Sequence, residues 1–61
     1  MYKVLIAEDE ELIRRGLVYT IDWLSLGCTV AGEAADGLEG LQKIKETHPD
    51  IVIADIRMPG M

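Results

Sequence analysis

The stretch that most limits what this chain can fold into is its last, IVIADIRMPGM, from Ile51 to Met61. Ile51 to Ala54 are apolar without a break; Asp55 follows, then Ile56, Arg57, Met58 and the turn pair Pro59-Gly60. A short, uninterrupted run rich in β-branched residues suits a strand covered on both faces, as in parallel sheets, and Pro-Gly marks the loop that leaves it. Such a strand delivers a carboxylate to its C-terminal end, where ligands of open α/β sheets gather.

The start of the chain repeats the pattern. Tyr2 to Ala7, YKVLIA, reads as a first strand, and Glu8, Asp9, Glu10 and Glu11 follow at once. Leu12, Ile13, Leu17, Ile21 and Leu24 then recur at helical spacing, which predicts an amphipathic helix from about residue 10 to 26. Acidic residues in its first turn suit the helix dipole, and Gly27 is the expected left-handed stop. Cys28 to Ala34, CTVAGEA, is a shorter, more polar strand, suited to a sheet edge. Asp36-Gly37-Leu38-Glu39 has the form of a capping box opening a second helix. Leu38, Leu41 and Ile44 would form its inner face, leaving Gln42, Lys43, Lys45 and Glu46 to solvent. His48 closes this helix because the residue before a proline avoids the α region, and Asp50 leads into the third strand.

The order β-α-β-α-β, with helices long enough to be crossovers, predicts an α/β fold with a parallel sheet and right-handed connections. Placing the polar second strand at an edge and the two apolar strands side by side gives the order 2-1-3, with a switch point between strands one and three. The ends of those two strands would lie about 4.8 Å apart, so Glu8, Asp9 and Asp55 would share one crevice. Three carboxylates this close repel one another. Either their pKa values rise or a hard divalent cation with oxygen ligands neutralises them, and Mg2+ is the natural candidate. A metal-neutralised aspartate at a strand end can also act as a nucleophile toward phosphorus. A plainer reading stands beside this one: Asp9 as a helix cap, Glu8 as its solvated neighbour and Asp55 as an ordinary loop aspartate.

Composition narrows the classes of function. At 61 residues and 49% hydrophobic, the chain is one small domain or a piece of one, foldable but with a marginal core. Cys28 is the only cysteine, so there is neither a disulfide framework nor a structural zinc spacing, and Cys28 itself reads as a small buried hydrophobe. A net charge of −5, from 11 acidic and 6 basic residues, disfavours direct nucleic-acid or anionic-membrane binding by this segment. Neither a signal peptide nor a membrane-spanning run is present, which predicts a cytoplasmic chain. There is no G-x-G-x-x-G after the first strand and no P-loop signature. The acidic first loop would repel a flavin phosphate, and the last loop lacks the second aspartate of a D-x-D phosphatase. Trp23 and Tyr19 read as core or helix-flank packing, His48 as solvated or capping, and Arg14 and Arg15 as a solvated helix face.

LIAEDE at the end of the first strand, AADGLEGL at the start of the second helix, and PDIVIADIRMPGM together resemble the receiver domain of two-component response regulators, over all 61 residues. Trp23, Leu26-Gly27 and VAGEAADG further resemble the subgroup whose receiver precedes an AraC-type helix-turn-helix output domain. The resemblance implies a flavodoxin-like fold and a phosphoacceptor role for Asp55. It makes Asp9 a direct Mg2+ ligand, Glu8 an acidic partner acting largely through water, and the backbone carbonyl of Arg57 a further ligand. Met58-Pro59-Gly60 would shape the loop beside the acceptor, and a histidine kinase would dock partly on the first helix, with Arg14 and Arg15 open to that role. A module of this kind signals and is not a dedicated enzyme; its parent protein would regulate transcription.

The same resemblance implies five strands, of which this chain holds three, so residues 1–61 correspond to the N-terminal half of a receiver. The Ser/Thr, the Lys and the aromatic switch residue of the family's fourth and fifth strands fall outside it. The third strand would then be a bare apolar edge, which invites pairing with a second copy and predicts a homodimer through that strand. An alternative of a different class follows: an isolated or engineered half-domain that acts only as a self-associating folding unit, without phosphotransfer.

Overall fold

The computed structural model describes residues 1–55. Strand β1 (Tyr2–Ala7), helix α1 (Glu11–Thr20), a 3-10 turn (Leu24–Leu26), strand β2 (Cys28–Ala34), helix α2 (Gly37–Thr47) and strand β3 (Ile51–Ala54) follow in order. The three strands form one parallel sheet in the order β2-β1-β3. Ala7 stands opposite Ala34 on one side and Ala54 on the other, so all three strands end level. A register shift after Val4, which faces Val30 while Leu5 faces Gly32, adds one residue to β2.

Alternation along β1 decides the packing. Val4 and Ile6 point to one face, where with Cys28 they meet Leu17 and Val18 of α1, Trp23 and Val30. Leu5 and Ala7 point to the other, under α2. Val4, Leu5 and Ile6 are fully buried, each contributing roughly 1.5–3 kcal/mol by leaving water. Gly40 lies where α2 meets the sheet: a Cβ there would sit at ordinary van der Waals distance, 3.9 Å, from the Cβ atoms of both Ala7 and Ala34. The helices thus cover opposite faces, as right-handed crossovers running in opposite directions across β1 require.

Three expectations are corrected. The helix expected to reach residue 26 ends at Thr20, with Ile21 extended. Asp22 interrupts it by accepting a hydrogen bond from the Ser25 backbone N–H at 3.3 Å and another from its hydroxyl, which starts a separate turn. Trp23 lies in that connection, and its indole N–H donates to the Leu17 carbonyl at 3.0 Å, satisfying one of the acceptors the helix end leaves open. Gly27 is a left-handed stop, φ 74°, but of the 3-10 turn. Tyr19, expected to pack, is exposed.

The inner face of α2 is the third correction. Leu38, Leu41 and Ile44 are exposed, whereas Gly40 and the aliphatic parts of Lys43 and Thr47 lie against the sheet. Small residues and amphipathic stems fill the tight gap there, and the leucine stripe is left at its side. Asp36 caps α2 by accepting from the Glu39 N–H at 2.7 Å. His48 ends it from the left-handed region, φ 48°, donating its backbone N–H to the Ile44 carbonyl. No helix among the described residues is long and apolar enough to cross a membrane.

Candidate functional site

The ends of β1 and β3 are adjacent because those strands pair directly, with the β2 crossover on the far side of β1. This is a switch point of the sheet, and it is where the carboxylates collect. Oxygens of Glu8, Asp9 and Asp55 all lie within 4.8 Å of one another. Asp9 is exposed and Asp55 half-buried, while Glu8 is buried, 7% accessible.

Glu8 is held by its own loop. Its backbone N–H donates to the carbonyl of Ala34, the last residue of β2, at 2.9 Å, continuing the ladder one residue past the end of β1, and its Oε1 accepts from the Glu10 N–H at 3.3 Å. Burial pushes the Glu8 carboxyl above the usual carboxylate range; a hydrogen bond shared with Asp9 and the charges of Asp55 and Asp9 push the same way, and the Glu10 amide opposes them. The plainer reading of these residues is thereby narrowed. The N-cap position of α1 is Glu10, not Asp9, and Glu8 is not solvated. Arg57 and Met58-Pro59-Gly60 lie outside the described residues.

Arg14 belongs to this region, although helical spacing alone suggests a solvated residue. Its side chain is only 15% exposed; Nη1 donates to the Glu8 carbonyl at 2.7 Å and Nε to Glu33 Oε1 at 3.3 Å. The signal is present in the sequence in retrospect. Arg14 precedes Leu17 and Val18 by one turn, on the face of α1 that meets the sheet, at the end of the helix nearest the acidic loop. Arg15, by contrast, is exposed and pairs with Glu11 on the outer face.

The donor set suits a small hard cation. Ligands held about 2.1 Å from one octahedral ion stand about 3–4.2 Å apart, so carboxylates already within 4.8 Å need little closure to share one. Oxygen-only chemistry points to Mg2+ or its like and away from softer metals.

Comparison with known proteins gives a consistent result. Residues 4–61 match the response regulator receiver domain family. An uncharacterized transcriptional regulatory protein, YesN, of Bacillus subtilis is 48% identical over 61 residues, spanning 100% of this chain and 17% of that protein. The transcriptional regulatory protein HptR of Staphylococcus aureus is 44% identical over 59 residues, 97% of this chain and 23% of its own length. The chain thus spans less than a quarter of these relatives. Among solved structures, the REC domain of AraT, a response regulator from Geobacillus stearothermophilus, superposes with a TM-score of 0.91 at 42% identity, covering 98% of this chain and 46% of that one. With its sheet order and the level, acidic strand ends as independent support, the chain belongs to the response regulator receiver domain family.

Proposed function

We propose that residues 1–61 are the N-terminal half of a cytoplasmic receiver, a signalling module that accepts a phosphoryl group on Asp55 from a histidine kinase. An Asp55 carboxylate oxygen forms the new bond to phosphorus as the bond from phosphorus to the donor imidazole breaks. Glu8, Asp9, Asp55 and the Arg57 carbonyl would hold Mg2+, which supplies charge neutralisation on the transferred group. Glu8, buried, would place its carboxyl beside the cation, and Asp9, exposed, would be the easier direct ligand. The parent protein would regulate transcription, with an AraC-type output domain elsewhere in its chain. The observation that carries this reading is the gathering of three carboxylates from two adjacent strand ends.

A Mg2+ titration of the 15N-labelled chain tests it. Amide shifts confined to the surroundings of Glu8, Asp9 and Asp55 are expected, and Asp55→Asn is expected to weaken binding by roughly tenfold or more and to abolish labelling by a small-molecule phosphodonor. A dispersed spectrum indifferent to Mg2+ would sink the proposal for this chain.

A second reading rests on a separate observation. Every residue of β3 is exposed on a strand that, among the described residues, pairs only with β1, and such an edge offers a row of backbone donors and acceptors to a second copy. The chain would then be a homodimer meeting through β3, in the limiting case a folding unit without phosphotransfer. Sedimentation is expected to give the dimer mass with a melting temperature that rises with concentration; a monomer mass with an invariant melt excludes it.

A further inference from the structure

We infer that Arg14 is a positioning residue for the acidic loop: its guanidinium fixes the Glu8–Asp9 peptide so that the Glu8 and Asp9 carboxylates face Asp55. The inference rests on the metal-site reading above, and deepens it by naming what holds the site's geometry.

Glu8 is held at the two peptides that flank its Cα, Ala7–Glu8 through its N–H and Glu8–Asp9 through its carbonyl. The Glu8 N–H is bound by the Ala34 carbonyl at 2.9 Å, and the Glu8 carbonyl by Arg14 Nη1 at 2.7 Å. The rotation that sets the direction of Asp9 is therefore constrained at the residue before it. Glu33, on β2, aligns the guanidinium through Nε, and the Arg14 backbone N–H donates to the Glu10 carbonyl at 2.9 Å, so hydrogen bonds tie the loop and the first helical turn to β2. A side chain only 15% exposed cannot trade these partners freely for water. A planar fork serves both acceptors at once, which a lysine ammonium on the same stem does poorly. The simpler role for such an arginine is an α1-to-β2 clasp, in which Glu33 is the partner that matters and the Glu8 bond is incidental.

The two roles separate experimentally in the 15N-labelled 61-residue chain. Polarisation of the Glu8 carbonyl by Nη1 is transmitted to the Asp9 amide nitrogen of the same peptide. Arg14→Ala and Arg14→Lys are expected to move the Asp9 nitrogen signal before any Mg2+ is added and to weaken Mg2+ binding roughly tenfold, as loss of ligand-orienting contacts does elsewhere. Glu33→Gln, which keeps an acceptor for Nε but removes the ion pair, is expected to retain wild-type affinity. A folded Arg14→Ala chain with an unmoved Asp9 signal and undiminished affinity overturns the inference, as does a Glu33→Gln chain that loses as much affinity as Arg14→Ala. Should Arg14→Ala fail to fold, Arg14→Lys decides by the same two readouts. If the wild-type chain ignores Mg2+, the metal-site reading fails, and the Asp9 signal in the variants alone supports or overturns the hold of Arg14 on the loop.

Discussion

Strands β1 and β3 carry almost the same residues, VLIA in Val4–Ala7 and IVIA in Ile51–Ala54, and stand opposite one another position by position. Val4, Leu5 and Ile6 are 0% exposed; their partners Ile51, Val52 and Ile53 are 40%, 45% and 37% exposed. Local sequence therefore does not set the difference. β1 has a strand on each side and a helix on each face, whereas β3 has one neighbouring strand and neither face closed over among the described residues. A continuous apolar run states that a strand needs cover on both faces; whether cover is present depends on what packs there. The exposed leucine stripe of α2 is the same lesson in a helix.

The comparison can be broken most forcefully at one pair, Ile6 and Ile53, which are register partners. Ile6→Ala removes buried methyl groups from a packed site and should cost about 2–5 kcal/mol. That rivals the whole stability of a 61-residue chain, roughly 3–9 kcal/mol, so the cooperative urea transition should be nearly lost. Ile53→Ala, at a site already open to water, should cost about 1 kcal/mol or less. Equal losses in the two variants would mean that β3 is covered in solution, and would move the balance toward the dimer.

Topology was legible because it rests on features that neighbours cannot overrule. Two apolar runs, one polar run and two helical spacings leave few parallel arrangements, and the order β2-β1-β3 follows from which strand is most polar. The acidic cluster was legible for the same reason: adjacent strand ends place their following residues together. What escaped depended on local competition. Asp22 breaks α1 because its side chain offers Ser25 a better bond than helix continuation does, and Thr20 and Ile21 are weak enough helix formers to yield. The second helix meets the sheet along an unexpected stripe, through Gly40, Lys43 and Thr47. Arg14 reads as a surface charge because helical spacing can place it on the sheet-facing side of α1 but does not say that the Glu8 carbonyl and Glu33 will meet it there.

The comparison can be sharpened by asking what holds β3 if burial does not. The answer at its start is a polar clasp: the Asp50 N–H donates to the Lys3 carbonyl at 2.8 Å, the Lys3 N–H to Asp50 Oδ2 at 2.7 Å, and Lys3 Nζ to the Thr47 carbonyl at 2.6 Å. These bonds are exposed, so water can replace each of them, and removing the Asp50 carboxylate should cost only about 1 kcal/mol. Asp50→Ala should nonetheless act unevenly. β1 stays pinned by its buried side chains, and β3, losing its anchor, should open locally, so β3 amides exchange with solvent faster while the β1 amides facing β2 keep their protection. If exchange rises equally in both strands, the sheet opens as one unit, and the ladder to β1, with the partial burial of Ile51 and Ile53, is enough to hold β3 without the clasp.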